Sequence, residues 1–223
     1  MNYQSLKDLT VVCGHYGTGK TNFAINLAMG YAGRGQQVTL CDLDIVNPYF
    51  RVSDFPEPLR EAGVELILPT YGRTNLDLPS LPAEMYSITT RPGRVIVDVG
   101  GDDAGATALG RYAAQIESKG YDMLYVINGR RSMSAAPGET AELLREIERA
   151  SRLKATALVN NTHLMKDTTA DTVLSSIAYA GEVSRLTGLP IALTALERKL
   201  AAELAGEVDN LFPVDIYVKP NWR

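Results

Sequence analysis

Short apolar runs alternate with longer mixed segments along nearly the whole chain. The runs are rich in Val, Leu and Ile and lack the strict alternation of a half-exposed strand, so they predict strands buried on both faces. We predict these strands at 9–13, 38–43, 64–68, 95–99, 123–127, 155–159, 191–193 and 213–218. The segments between them predict helices at 20–32, 104–119, 138–152, 169–187 and 196–205.

This order of elements predicts an α/β fold, a mostly parallel and twisted sheet with helices on both faces. The length of 223 residues suits a single domain over 1–223. One stretch, about 47–94, breaks the rhythm, because seven of the eleven prolines lie between Pro48 and Pro92. In doubly wound α/β folds, ligands bind at the carboxyl ends of the strands, so the strand ends are where functional residues are expected.

The segment between the first strand and the first helix matches the pattern G-x-x-x-x-G-K-[ST] in full. Its residues are Gly14, His15, Tyr16, Gly17, Thr18, Gly19, Lys20 and Thr21. Glycines let the backbone curl so that successive N–H groups point inward, and the following helix presents its positive end to an anion. Lys20 reaches the β- and γ-phosphates and Thr21 offers a hydroxyl to Mg²⁺. The pattern predicts that these residues bind a nucleotide.

Two other predicted strands end in carboxylates. The second strand ends in Asp42 and Asp44, and a later apolar strand ends in Asp98. Carboxylates at strand ends are costly without a partner, and Mg²⁺ with its water shell is a suitable one. A capped turn would explain the first pair alone equally well, but the phosphate loop favours a metal site. Asp98 has the form of a Walker B carboxylate, and Gly101 can bring a backbone N–H to the γ-phosphate.

These motifs together resemble the MinD/ParA group of P-loop ATPases, within the SIMIBI class. The resemblance extends over about 9–216 and implies a three-layer P-loop NTPase fold, ATP or ADP as ligand, and Mg²⁺ as cofactor. It rests on the phosphate loop, Asp42-x-Asp44-x-x-Asn47-Pro48 and Asp98-x-x-Gly101.

The resemblance also implies a role for each matching residue. Lys20, Asp44 and Asp98 would be the catalytic set, with Asp44 orienting the attacking water. Thr21, Asp44 and Asp98 would hold Mg²⁺, and Asp42 would assist at the same strand end.

Asn160, after the predicted strand 155–159, resembles the asparagine that contacts adenine in this group. A turn residue at a strand end is the alternative interpretation. The base-recognition pattern Asn-Lys-x-Asp of G proteins is absent, which favours ATP over GTP. Its expected place holds Asn160-Asn161-Thr162-His163.

The loop departs from the group's pattern at two positions. The group carries a second lysine early in the loop that reaches across a dimer, but this chain has His15 there, and Tyr16 replaces a glycine. An imidazole is only partly protonated at neutral pH, so His15 either substitutes in part or only packs within the loop. Arg51, Arg130 and Arg131 are other candidates to supply positive charge to the γ-phosphate.

We therefore expect a slow Mg-ATPase that acts as a nucleotide-dependent switch and forms a homodimer when ATP is bound. One alternative is an ATP-dependent small-molecule kinase or ligase, related to the enzymes of dethiobiotin or cobyrinic acid amide synthesis. Another is a nucleotide-binding module without significant hydrolysis.

The proline-rich stretch 47–94 has two interpretations. It is either an irregular connection on the sheet edge or a surface that senses nucleotide and meets a partner protein. In a small-molecule enzyme it would instead line an acceptor pocket. Its arginines are Arg51, Arg73, Arg91 and Arg94, and its tyrosines include Tyr49, Tyr71 and Tyr86.

Charge and composition narrow the partners. The formal net charge of −4 argues against a broad nucleic-acid surface. Cys13 and Cys41 have no metal-binding or disulfide spacing, so both are expected to be buried strand residues in a reducing compartment, the cytoplasm. We also expect no membrane anchor, because the sequence shows neither a long apolar run nor an amphipathic C-terminal helix.

Overall fold

Eight parallel strands form one sheet in the computed structural model, which describes residues 3–44, 52, 56–69, 83–101, 103–131 and 136–218. The strand order is β3-β2-β4-β1-β5-β6-β7-β8, and every pairing between described strands is parallel. The α/β prediction is therefore confirmed. The strands are β1 Leu9–Cys13, β2 Val38–Leu43, β3 Val64–Ile67, β4 Arg94–Val99, β5 Tyr121–Ile127, β6 Ala157–Asn160, β7 Ile191–Glu197 and β8 Leu211–Val214.

The described helices cover both faces of this sheet. They are α1 Lys20–Ala32, α2 Pro56–Glu61, α3 Asp103–Gly110, α4 Ala113–Lys119, α5 Pro137–Ser151, α6 Ala170–Thr187 and α7 Arg198–Glu203. Short 3₁₀ turns lie at Tyr3–Ser5, Ala83–Ser87 and Met165–Asp167. No described helix has the length and apolar character needed to cross a bilayer.

The helix predicted at 104–119 is two helices, α3 and α4. Gly110 lies so close to the end of α5 that a Cβ atom placed on it would be 2.8 Å from the Ala150 carbonyl oxygen. Two residues later the Tyr112 side chain enters the core, where it is 3% exposed. The break therefore follows from packing between distant elements.

The sheet separates two apolar layers. Leu9, Val11 and Cys13 of β1 face one layer, which includes residues of α3 to α6, whereas Val12 faces the other. The second layer contains Phe23 and its apolar neighbours on α1. All residues of β1 and β2 are buried, as expected for strands covered on both faces.

The sheet order reverses at β1. The chain passes from β1 to β2 and β3, returns to β4 between β2 and β1, and then continues with β5 on the other side of β1. Such a reversal opens a crevice at the carboxyl ends of the strands, where α/β proteins bind ligands. The phosphate loop leaves β1 at this point.

The proline-rich stretch contains α2, β3 and a 3₁₀ turn among its described residues. Arg91 pairs with Glu65 of β3, and Arg94 donates to the Leu6 carbonyl oxygen at 2.6 Å. Arg91 thus contacts the edge strand β3, and Arg94 links the start of β4 to the segment before β1. The predicted residues Asn47, Pro48, Tyr49, Arg51, Tyr71 and Arg73 lie outside the described residues.

Candidate functional site

The loop between β1 and α1 has the geometry of an anion cradle. Gly17 and Gly19 have φ angles of 78° and 83°, in the left-handed region that favours glycine. A Cβ atom on Gly14 would lie 2.6 Å from the Val126 carbonyl oxygen. Gly19 caps α1 with no side-chain hydrogen bond to the first turn, so the positive end of the helix faces the crevice without a capping side chain.

Four predicted side chains meet where this loop joins α1. Lys20 and Thr21 are 5% and 8% exposed, and Asp98 of β4 is 1% exposed. Burial raises the pKa of Asp98 to about 6, the Lys20 charge and the Thr21 side chain oppose the shift, and the Asp44 carboxylate adds to it. Because charges interact strongly in a protein interior, Lys20, Thr21, Asp44 and Asp98 act as one electrostatic cluster.

The two acidic strand ends lie side by side. Asp42 of β2 is the register partner of Asp98 of β4. The backbone N–H of Asp44 donates to the Asp42 carboxylate at 2.9 Å, so Asp42 shapes the turn that carries Asp44. Asp44 itself is 5% exposed.

One oxygen of Asp98, Oδ1, is buried and has no hydrogen-bond partner within the described part of the chain. A buried acceptor without a partner costs roughly 1–3 kcal/mol, and a buried carboxylate costs more. A hard cation that prefers oxygen ligands fits this position. The described residues contain no cluster of three or more His, Cys, Asp or Glu side chains that would hold a metal, so Thr21 and Asp98 would share Mg²⁺ with phosphate and water oxygens.

We expect Asp98→Asn to stabilise the nucleotide-free, magnesium-free protein at neutral pH. Folded Asp98 keeps its proton up to about pH 6, whereas the ordinary value is 3.8, so the folded state binds one extra proton between those values. Stability is therefore lost as pH rises through this window. Urea unfolding should show a gain of about 2–3 kcal/mol for the variant near pH 7.5 and almost none near pH 4.

Asp171→Asn, on the exposed start of α6, is the matched control and should change stability little at either pH. A lower stability of Asp98→Asn near pH 7.5 would contradict the assignment of Asp98 as a strained, cation-seeking carboxylate.

The segment after β4 lies between the phosphate loop and Asp44. A Cβ atom on Gly101 would be 2.7 Å from the backbone nitrogen of Tyr16. A Cβ atom on Gly100 would be 3.2 Å from Asp44 Oδ1. The approach at Gly101 leaves no room for a side chain and the approach at Gly100 is tight, so the segment contacts the early loop and the Asp44 turn at once.

The two atypical loop residues have different surroundings. The Nδ1 atom of His15 is buried without a hydrogen-bond partner among the residues described, whereas the Tyr16 side chain is 54% exposed. His15 thus points at least one ring nitrogen into the protein, and Tyr16 points to solvent.

Asn160 lies at the end of β6 with its amide engaged inside the protein. Its Nδ2 donates to Ser176 Oγ at 2.9 Å, and its Oδ1 accepts from Thr162 Oγ1 at 2.8 Å. The side chain is 2% exposed. Contact with adenine would require this buried side chain to become accessible, so its predicted role in base recognition stays a prediction that this geometry does not favour.

The neighbouring residue, Asn161, contacts the loop and was not singled out from the sequence as a site residue. Its Nδ2 donates to the Thr18 carbonyl oxygen at 2.7 Å, and a Cβ atom on Gly19 would be 2.4 Å from the same nitrogen. The side chain is 8% exposed. The pair of asparagines at a strand end was the available signal, but only the fold shows which one faces the loop.

Two arginines adjacent in sequence make different contacts. Arg131 Nε donates to the Gly17 carbonyl oxygen at 2.8 Å, whereas an Arg130 terminal nitrogen donates to Ser175 Oγ on α6 at 3.0 Å. Of the predicted charge donors, Arg131 therefore touches the loop and Arg130 does not.

Residues after β8 are attached to α1 by two asparagines that lie one turn apart on that helix. Asn26 donates to the Asp215 carbonyl oxygen at 2.8 Å and accepts from the Asp215 N–H at 2.7 Å. Asn22 Oδ1 accepts from the N–H groups of Tyr217 and Val218 at 2.9 and 3.2 Å. The last described residues thus brace the helix that carries Lys20.

Comparison with known proteins shows a structural likeness only. No family model matches the chain, and neither does any curated protein sequence. The fold and the loop at β1 together define a P-loop NTPase fold, and solved structures support this.

Three of the similar solved structures illustrate the likeness. The signal recognition particle receptor FtsY from Elizabethkingia anophelis is 18% identical with a TM-score of 0.56, over 87% of this chain and 60% of that one. The 54 kDa signal recognition particle protein from Aeropyrum pernix K1, in complex with GDP, is 20% identical with a TM-score of 0.54, over 83% and 40%. The cell division protein FtsY from Thermotoga maritima is 17% identical with a TM-score of 0.54, over 93% and 65%.

This chain spans less than two thirds of each of these proteins. The likeness shows that this chain shares their α/β fold and nothing finer. Membership of the MinD/ParA group stays a prediction.

Proposed function

We propose that the chain binds Mg-ATP at the β1–α1 loop and hydrolyses it slowly, as a nucleotide-dependent switch of the MinD/ParA kind. The observation that carries the proposal is the buried cluster of Lys20, Thr21, Asp44 and Asp98 at the uncapped start of α1. Lys20 is nearly buried yet makes no ion pair with a described residue. Because a buried ammonium that makes no direct ion pair is costly even beside the carboxylates of its cluster, a phosphate group is the partner that suits it.

Each side chain has a distinct task in this mechanism. The loop N–H groups and Lys20 bind the phosphates and stabilise the negative charge that develops during transfer to water. Asp44 accepts a hydrogen bond from the attacking water and orients it. Thr21 and Asp98 would hold Mg²⁺, which when bound neutralises phosphate charge.

The contacts of Gly100 and Gly101 support a switch. Their segment touches Tyr16 on one side and Asp44 on the other, so a γ-phosphate bound between the loop and the strand ends would lie beside both contacts and could shift them. Segments ordered by a γ-phosphate and released by hydrolysis are a common way for P-loop proteins to control partner binding. The similar protein from Aeropyrum pernix was solved in complex with GDP, so the structural likeness does not distinguish ATP from GTP. ATP as the ligand is our proposal.

The proposed switch mechanism predicts that the molecular mass in solution changes when nucleotide binds. Light scattering after size exclusion should give the monomer mass of 24.2 kDa without nucleotide and twice that mass with Mg²⁺ and a non-hydrolysable ATP analogue. The same analogue without Mg²⁺ is the control and should leave the protein monomeric. An unchanged mass would remove the dimer from the proposal and favour the small-molecule kinase or ligase, which should instead release ADP only with an acceptor present.

A further inference from the structure

The two ends of the phosphate loop have different neighbours. The early part, His15 and Tyr16, is contacted by Gly101, which follows the Asp98 strand. The later part, Gly17 to Gly19, is contacted by side chains from the loops after β5 and β6. These are Arg131, Asn161 and His163. The site therefore has a carboxylate-lined end and a second end of different chemistry.

Arg131 packs against the second end. Its Nε donates to the Gly17 carbonyl oxygen at 2.8 Å, and its guanidinium carbon would be 3.1 Å from a Cβ atom on Gly17. Its positive charge contributes to lowering the pKa of His163, whose ring lies against Gly19 of the same loop. Arg131 is exposed, and within the described chain its terminal nitrogens make neither a hydrogen bond nor an ion pair.

His163 adds a neutral donor beside this cation. Burial, and secondarily Arg131, lowers its pKa to about 4, so the ring is uncharged at neutral pH. Its Nδ1 accepts from the Met165 N–H at 3.2 Å, which leaves the ring hydrogen on Nε2. Nε2 would be 3.1 Å from a Cβ atom on Gly19, so this donor lies beside the loop. The Asn161 amide already donates to the Thr18 carbonyl oxygen, so we expect it to hold the loop in place and not to bind the nucleoside.

The direction of the nucleotide follows from the charges. The phosphates belong beside Lys20 and the magnesium ion that Thr21 and Asp98 would hold, near Gly101. A nucleotide is elongated, so its nucleoside leaves the loop at the opposite end, beside Gly17 and Gly19.

We propose that Arg131 and His163 form the nucleoside subsite, with the guanidinium plane packed on the base and the His163 Nε2–H donating to a base or ribose acceptor. This inference rests on nucleotide binding as proposed above. An arginine plane packs on any purine, so Arg131 gives affinity without selecting adenine over guanine. Asn160, which is hydrogen-bonded to Ser176 and Thr162, then stabilises the end of β6 and does not contact the base.

The test compares Mg-ATP, Mg-GTP and inorganic tripolyphosphate by calorimetry. Arg131→Ala should weaken ATP and GTP binding about tenfold each and leave tripolyphosphate binding unchanged, because only the nucleotides carry a base. Arg131→Lys keeps the charge but loses the plane and should recover only part of the affinity. Arg130→Ala is the matched control, since that side chain bonds to Ser175, and should behave as the unmodified protein.

Several outcomes would overturn the inference. If Arg131→Ala weakens tripolyphosphate as much as ATP, Arg131 acts on the phosphates or only holds the loop. Unchanged ATP affinity in Arg131→Ala, with normal binding by the unmodified protein, would remove Arg131 from the site. Failure of the unmodified protein to bind either ATP or tripolyphosphate would instead refute the proposed function, which separates the two failures.

Discussion

Lys20→Ala is expected to weaken Mg-ATP binding by a factor of about 100 or more. Lys20 is the buried ammonium at the start of α1, and its charge acts on Asp98. Charge-assisted hydrogen bonds to phosphate are worth roughly 1.5–3 kcal/mol each, and removing one partner of a desolvated charge pair costs 2–5 kcal/mol or more. Calorimetry with Mg-ATP measures the loss directly.

Loss of binding has to be separated from loss of folding in this variant. Without Lys20, the negative charges of Asp44 and Asp98 have lost a nearby cation, so the unfolding transition should be recorded beside the calorimetry. Lys199→Ala, on the exposed face of α7, is the matched lysine control and should bind ATP normally. A folded Lys20→Ala protein with unchanged affinity would refute the proposed nucleotide site.

Asp44→Asn is expected to lower the hydrolysis rate at saturating Mg-ATP by a factor of about 100–10,000. An asparagine keeps the size and part of the hydrogen bonding of Asp44 but loses the negative charge and basicity that orient water. Affinity for ATP should be retained or slightly higher, because one negative charge near the phosphates is removed. Single-turnover release of phosphate, measured with binding in parallel, distinguishes the two effects.

Asp122→Asn is the control matched for burial, since Asp122 is 7% exposed and accepts from the Lys7 N–H at the opposite end of the sheet. Its hydrolysis rate should be unchanged. Equal rates for Asp44→Asn and the unmodified protein would argue that hydrolysis uses another group. If the unmodified protein also fails to turn over ATP, the binding module without hydrolysis becomes the better description.

Much of the fold was predictable because its signals are local. Apolar strands such as Leu9–Cys13 and Val38–Leu43 are recognisable from their own residues, since strands buried on both faces must be apolar throughout. Less local features were missed. The break between α3 and α4 depends on Gly110 meeting the end of α5, which no short window of sequence contains.

The candidate site divides in the same way. Sequence alone determined the phosphate loop and the two acidic strand ends, because a parallel sheet brings the carboxyl ends of neighbouring strands together. Only the tertiary structure showed Arg131 on Gly17 and Asn161 on Thr18, because these contacts join residues 114 and 143 positions apart. It also decided that Arg131 rather than Arg130, and Asn161 rather than Asn160, touches the loop. Each pair consists of two identical residue types, so the sequence does not distinguish its members. The direction in which each side chain points is set by the packing around the strand end.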